Sequence, residues 1–138
     1  MKPFEILGHT ADISIKAYGK GLKELFENAA LGMFTILADL EGITTSTELE
    51  IKVEAPDREE LLLEWLDELL YTFYTKNIIF SRFDITELTD TRLTARVKGR
   101  FVGENKNRLK TEIKAATRHD LHVDEKEGNY EVRIVFDV

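Results

Sequence analysis

Cysteine is absent from the 138 residues, which excludes disulfides, thiolate metal sites and a cysteine nucleophile together. No apolar run approaches the ~18 residues of a membrane span, so no membrane partner is expected. The opening Met1-Lys2-Pro3-Phe4 lacks the apolar stretch of a secretory leader, and the expected location is cytoplasmic. Glutamine is missing too, and a third of the residues are charged, a balance met in heat-stable proteins. There is no phosphate-binding P-loop, no Rossmann glycine fingerprint, no HExxH zinc motif and no GxSxG nucleophile elbow. The familiar signatures of nucleotide, zinc-protease and serine-hydrolase chemistry are therefore all lacking.

What is present suits one domain spanning 1–138, with 43% hydrophobic residues to fill a core. The net charge of −7 is unevenly spread. From Arg92 to Arg118 there are nine basic and two acidic residues, a net +7 that leaves −14 on the remainder. Two readings stand: a solvated basic face balancing an acidic one, or a docking surface for a phosphate-rich or acidic partner. Phe101 is the one aromatic in the segment, too few for the stacking platform of a free-standing single-strand RNA binder.

Ile13, Ile15 and Ala17 alternate with polar neighbours, predicting a half-buried strand that ends at Gly19. A helix follows from Leu22, with Leu25, Phe26, Ala29, Met33, Ile36 and Leu37 on one stripe. Leu49, Ile51, Val53 and Ala55 alternate again. Asp57 then caps a second helix, with Glu60 three residues on as in a capping box. Leu62, Trp65, Leu66, Leu69 and Phe73 form its apolar stripe, and Asn77 suits its stop. Beyond it, Ile78–Leu88 and Leu93–Phe101 read as strands about a turn at Thr89-Asp90-Thr91. Residues 103–110 read as a loop or short helical turn. A last hairpin pairs a segment around Ala115–Val123 with Tyr130–Val138 across Gly128-Asn129. The expected fold is a single α+β domain, a largely antiparallel β-sheet with two amphipathic helices on one face.

Three features could carry chemistry. Asp12 closes the run His9-Thr10-Ala11-Asp12 and points away from the core side of its strand; it reads as a turn cap or as a ligand. Asp137 lies on the outward side of the final strand, beside the α-carboxylate of Val138. Two adjacent carboxylates repel unless a cation or hydrogen-bond donors offset them. They read as exposed edge charges or, with Asp12 near, as three oxygen ligands suited to Ca²⁺, Mg²⁺ or Mn²⁺ rather than zinc. Third, His119-Asp120 within a strand would point to opposite faces, so no dyad is expected there. His119 reads as structural, or as a group approaching Asp12 across the sheet.

Four pieces occur in order along the chain: His9-Thr10-Ala11-Asp12; Leu63-Glu64-Trp65-Leu66-Asp67-Glu68-Leu69-Leu70; Leu109-Lys110-Thr111-Glu112-Ile113-Lys114-Ala115-Ala116-Thr117 leading to His119-Asp120; and Phe136-Asp137-Val138. Together they resemble the archease family across essentially the whole chain. Arg118 departs from the pattern, standing where the family usually places an aromatic. The resemblance implies an accessory protein with no catalysis of its own. It would activate the GTP- and Mn-dependent RNA ligase of tRNA splicing, promoting guanylylation and multiple turnover. It also implies a cation held by Asp12, Asp137 and the Val138 carboxylate, with calcium among the candidates, and an activating role for Lys114. His9 and His119 fall within family motifs without an assigned role. The partner implied is the ligase, with tRNA or RNA ends reached through the complex. From other classes, a general chaperone or RNA-binding module, or a stand-alone metal-dependent hydrolase, remain alternatives. The hydrolase has no evident base or nucleophile paired with the carboxylates.

Overall fold

Period-two alternation builds the first sheet from the chain's two ends. In the computed structural model, which describes residues 2–9 and 12–138, strand β1 (Phe4–His9) pairs antiparallel with β2 (Asp12–Gly19), Ile6 opposite Ile15. β2 pairs in turn with β8 (Asn129–Asp137), Ile15 opposite Ile134. The far side of β8 carries β6 (Ala115–Ala116) and, further along, β7 (Val123–Lys126), giving the order β1-β2-β8-β6 with β7 beside β8. A second, three-stranded antiparallel sheet has the order β3 (Thr47–Glu54), β5 (Arg92–Phe101), β4 (Ile78–Leu88).

Two helices join these sheets. Helix α1 (Leu22–Leu37) has buried side chains on more than one stripe, including Phe34, Ala30 and Gly32 besides the expected set. A helix apolar over most of its circumference must be covered on several sides. Gly32 faces β1 and β2: a Cβ there would lie 2.9 Å from Ile15 Cδ1 and 3.2 Å from the Phe4 ring. Phe34 turns to the other sheet, edge-on to Phe80 of β4 at 5.6 Å. Helix α2 (Arg58–Lys76) meets the same ring through Phe73 at 5.9 Å. Asp57 caps α2 by accepting the Glu60 N–H at 2.9 Å, and Asn77 ends it in the left-handed region with φ 56° and ψ 49°. The Glu60 side chain does not return the bond; it pairs with Arg118. Trp65 has no exposed surface, and its indole N–H donates to Phe26 O of α1 at 3.0 Å.

The α+β class, the antiparallel pairing and both helices agree with the expectation from sequence. The strands divide between two sheets, however, and α1 touches both. Residues 103–108 form a short 3-10 turn, as the polar composition suggests. The final hairpin differs in two respects. Its first arm is interrupted between Ala116 and Val123, and its tight turn centres on Glu127-Gly128, both at positive φ, one residue earlier than expected. No helix among the described residues is long and apolar enough to cross a membrane.

One carboxyl stitches α1 to the second sheet. Glu27 Oε2 accepts the Ile85 N–H at 2.8 Å, beside a register irregularity in β4. Burial holds its carboxyl above the ordinary value of 4.5, the Ile85 N–H partly opposing that rise. A folded-state pKa above the unfolded one adds stability that is fully present below the unfolded value. That stability is lost as pH rises through the folded value. Glu27→Gln keeps an oxygen acceptor without the charge. In denaturant melts across the acid range, the stability of the parent relative to this variant is expected to fall as pH rises.

Candidate functional site

The sequence-predicted residues other than His119 fall at one end of the first sheet. His9 stands opposite Asp12 in the β1–β2 register. Ile13 stands opposite Phe136, so Asp12 and Asp137 occupy the next step of the same ladder on adjacent strands. Asp137 in turn stands opposite Ala115 of β6, and the neighbouring Lys114 N–H donates to Asp137 O at 2.7 Å. Four strands thus carry His9, Asp12, Asp137 and Ala115 in one row. Thr10 and Ala11 of the first motif lie outside the described residues.

Alternation sets the direction of the two carboxylates. Ile15 and Phe136 point into the core, so Asp12 and Asp137 project from the opposite face, where both are exposed. Directly opposed residues in an antiparallel pair have Cβ atoms about 4.5–5.5 Å apart, close enough for two carboxylates to share one ion. Neither makes an ion pair with a basic side chain among the described residues. Val138, next along, is 43% exposed at the same end. Among the described residues no three His, Asp or Glu side chains form a metal cluster. The third group of this set is the Val138 carboxylate, which is not a side chain. An all-oxygen set of two side chains and a terminal carboxylate fits a hard divalent cation and suits zinc poorly.

Lys114 is exposed and without an ion-pair partner among the described residues. The segment around it is held on its outer side by α2. The Tyr74 hydroxyl donates to Ile113 O at 2.7 Å and accepts the Ile113 N–H at 3.2 Å, while Asp67 Oδ1 accepts the Ala116 N–H at 2.9 Å. Burial raises the Asp67 carboxyl above its ordinary value, the Ala116 N–H opposing and Glu64 adding to the rise. Neither Asp67 nor Tyr74 stands out as functional in the sequence. The signal that could have found them is spacing: Leu63, Asp67, Leu70 and Tyr74 share a stripe, and Leu63 and Leu70 are buried. An acid between buried leucines on one helical face needs a hydrogen-bond donor.

His119 lies elsewhere, in the connection between β6 and β7. Because that stretch is a turn, with Asp120 at φ 54°, neighbouring side chains can meet. His119 Nε2 is 3.3 Å from Asp120 Oδ2, a contact a strand would forbid. No hydrogen bond or ion pair among the described residues joins His119 to Asp12. His122 Nε2 likewise lies 3.0 Å from Asp124 Oδ1.

The basic stretch does not form one surface. Arg96 and Lys98 pair with Glu48 across the β3–β5 ladder, and Arg100 donates to Thr44 O at 2.7 Å. Arg108 donates to the carbonyls of Asp39 and Glu41, and Arg118 pairs with Glu60. Arg92 at the start of β5, and Lys106, Lys110 and Lys114 beyond it, are left without an acidic partner among the described residues.

Known proteins resemble this chain over nearly its whole length. The model of the Archease protein family (MTH1598/TM1083) matches residues 4–138. Protein archease of Methanosarcina mazei is 38% identical, over 99% of this chain and 97% of that protein. Protein archease of Sulfolobus acidocaldarius is 34% identical over the full length of both. The solution structure of Methanobacterium thermoautotrophicum protein 1598 superposes with a TM-score of 0.83 at 35% identity, covering all of both chains. The crystal structure of an archease, possible chaperone, from Thermotoga maritima shares the fold at a TM-score of 0.62 and 22% identity, over 96% of this chain and 94% of that one. With a family match running from β1 to the last residue, and relatives above 30% identity end to end, this chain belongs to the archease family.

Proposed function

We propose that this chain is a non-catalytic accessory protein that activates the GTP- and Mn-dependent RNA ligase of tRNA splicing, promoting its guanylylation and multiple turnover. The observation that carries the reading is the row at the end of the first sheet. Its support is that the β2–β8 register ends with Ile13 opposite Phe136, one residue before Asp12 and Asp137, and that the Lys114 N–H donates to Asp137 O. Asp12, Asp137 and the Val138 carboxylate would hold the cation. A bound divalent cation supplies positive charge that polarises phosphate oxygens. The exposed Lys114 ammonium, a compact and mobile point charge, reaches a nucleotide phosphate or a partner carboxylate. The test is radiolabelled GTP transfer to the purified ligase of the same host, with and without this protein. Faster and more complete labelling supports the reading, and unchanged labelling rejects it.

Cation binding can be measured without the ligase. Titration calorimetry with Mn²⁺ or Ca²⁺ is expected to give one site per chain. Asp12→Asn and Asp137→Asn each remove a negative ligand and are expected to weaken it at least about tenfold. Parent-like affinity in both variants would place the ion elsewhere.

A further inference from the structure

Ile113–Ala116 is fastened from two directions. Toward the sheet, Lys114 N–H donates to Asp137 O at 2.7 Å and Thr117 N–H to Val135 O at 3.0 Å. Toward α2, the Tyr74 hydroxyl satisfies both the carbonyl and the amide of Ile113, using its donor and an acceptor position together. About two turns earlier on the same helix stripe, Asp67 accepts the Ala116 N–H. β6 ends its strand path, so this amide faces away from β8 with no further strand to receive it. Asp67 takes the place of that strand. The residues flanking Lys114 are thereby fixed to a helix whose own core face is anchored by Trp65.

We infer that Asp67 and Tyr74 are positioning residues for Lys114, holding its main chain between α2 and β8 so that the ammonium leaves the sheet end in one direction, beside Asp137. The inference rests on Lys114 being the activating group. A long lysine side chain has many rotamers, so its reach is defined only as well as its Cα is held. A residue that supports a functional group from behind acts through geometry, and loosening it costs activity without removing any charge.

The test is a double-mutant cycle on ligase guanylylation with parent, Asp67→Ala, Lys114→Ala and the double variant, alongside Asp67→Asn and Tyr74→Phe. Amide exchange at Ala116 is measured on each. Asp67→Ala is expected to speed that exchange by about tenfold, the scale of one lost, partly buried hydrogen bond to a charged group. It is also expected to remove most of the stimulation. Asp67→Asn, which keeps an oxygen acceptor, retains both. Because Asp67 acts through Lys114, the double variant does no worse than Lys114→Ala alone. If Asp67→Ala is too unstable to assay, Tyr74→Phe carries the same expectation at Ile113. A stimulation-dead Lys114→Ala with fully active Asp67→Ala and Tyr74→Phe overturns the positioning role. So do effects that multiply in the double variant. A fully active Lys114→Ala fails the activating reading itself, and the inference falls with it.

Discussion

Lys114→Ala and Asp137→Ala are each expected to return ligase guanylylation to its unstimulated level while leaving the melting curve within about 2 °C of the parent. Both side chains are exposed and neither contributes to the core. Each variant leaves the main chain in place, so the Lys114 N–H to Asp137 O bond survives both. The two losses differ in kind. Asp137→Ala removes a cation ligand, and its deficit should be accompanied by weaker Mn²⁺ or Ca²⁺ binding. Lys114→Ala removes a positive charge and should leave cation affinity near that of the parent. Lys114→Arg is expected to restore part of the stimulation, because a planar guanidinium carries the charge but not the compact geometry of an ammonium. Two variants that melt and activate like the parent would remove the proposed site.

The largest expected effect on stability comes from Trp65. Its ring has no exposed surface and meets Phe83 edge-on at 6.3 Å, and its N–H holds Phe26 O of α1 at 3.0 Å. Trp65→Ala leaves a cavity between the helices and removes the side-chain hydrogen bond that joins α2 to Phe26 O. Large-to-small changes of this kind cost about 3–5 kcal/mol. That is roughly 10–20 °C in melting temperature for a domain of this size. Trp65→Phe keeps much of the volume but not the donor, so it should fall between the two. An Ala variant melting within a few degrees of the parent would contradict the packing of α1 on α2.

Local pattern made the elements legible. The alternation at Ile13, Ile15 and Ala17 told correctly that Asp12 faces away from the core, because side-chain direction in a strand depends only on parity. The Asp57 cap and the Asn77 stop were readable because each depends on one residue's own chemistry. The pairing of distant segments was not readable in this way. β2 lies beside β8, more than a hundred residues later, and nothing in the composition of either shows that the strands divide into two sheets. β1 escaped notice because Phe4-Glu5-Ile6-Leu7-Gly8-His9 breaks its alternation at Leu7 and Gly8. The basic stretch looked continuous because sequence order hides the partners. Glu48 and Glu60, on other elements, neutralise Arg96, Lys98 and Arg118. Arg118 finds its place as an ion-pair partner of Glu60 near the α2 N-terminus. The spacing of Asp67 between buried leucines signals that its carboxyl needs a donor, but only the strand edge opposite it shows that the donor is the Ala116 N–H.

Multiple-turnover ligation puts the activating role most directly at risk. With the ligase at a small fraction of the RNA ends and GTP and Mn²⁺ in excess, ligated product is followed over time with and without the protein. An activator that promotes repeated guanylylation takes product well beyond one equivalent per ligase, while the ligase alone stalls near that level. Asp137→Ala and Lys114→Ala then stall with it. Product curves that coincide with and without the protein would contradict the activating role.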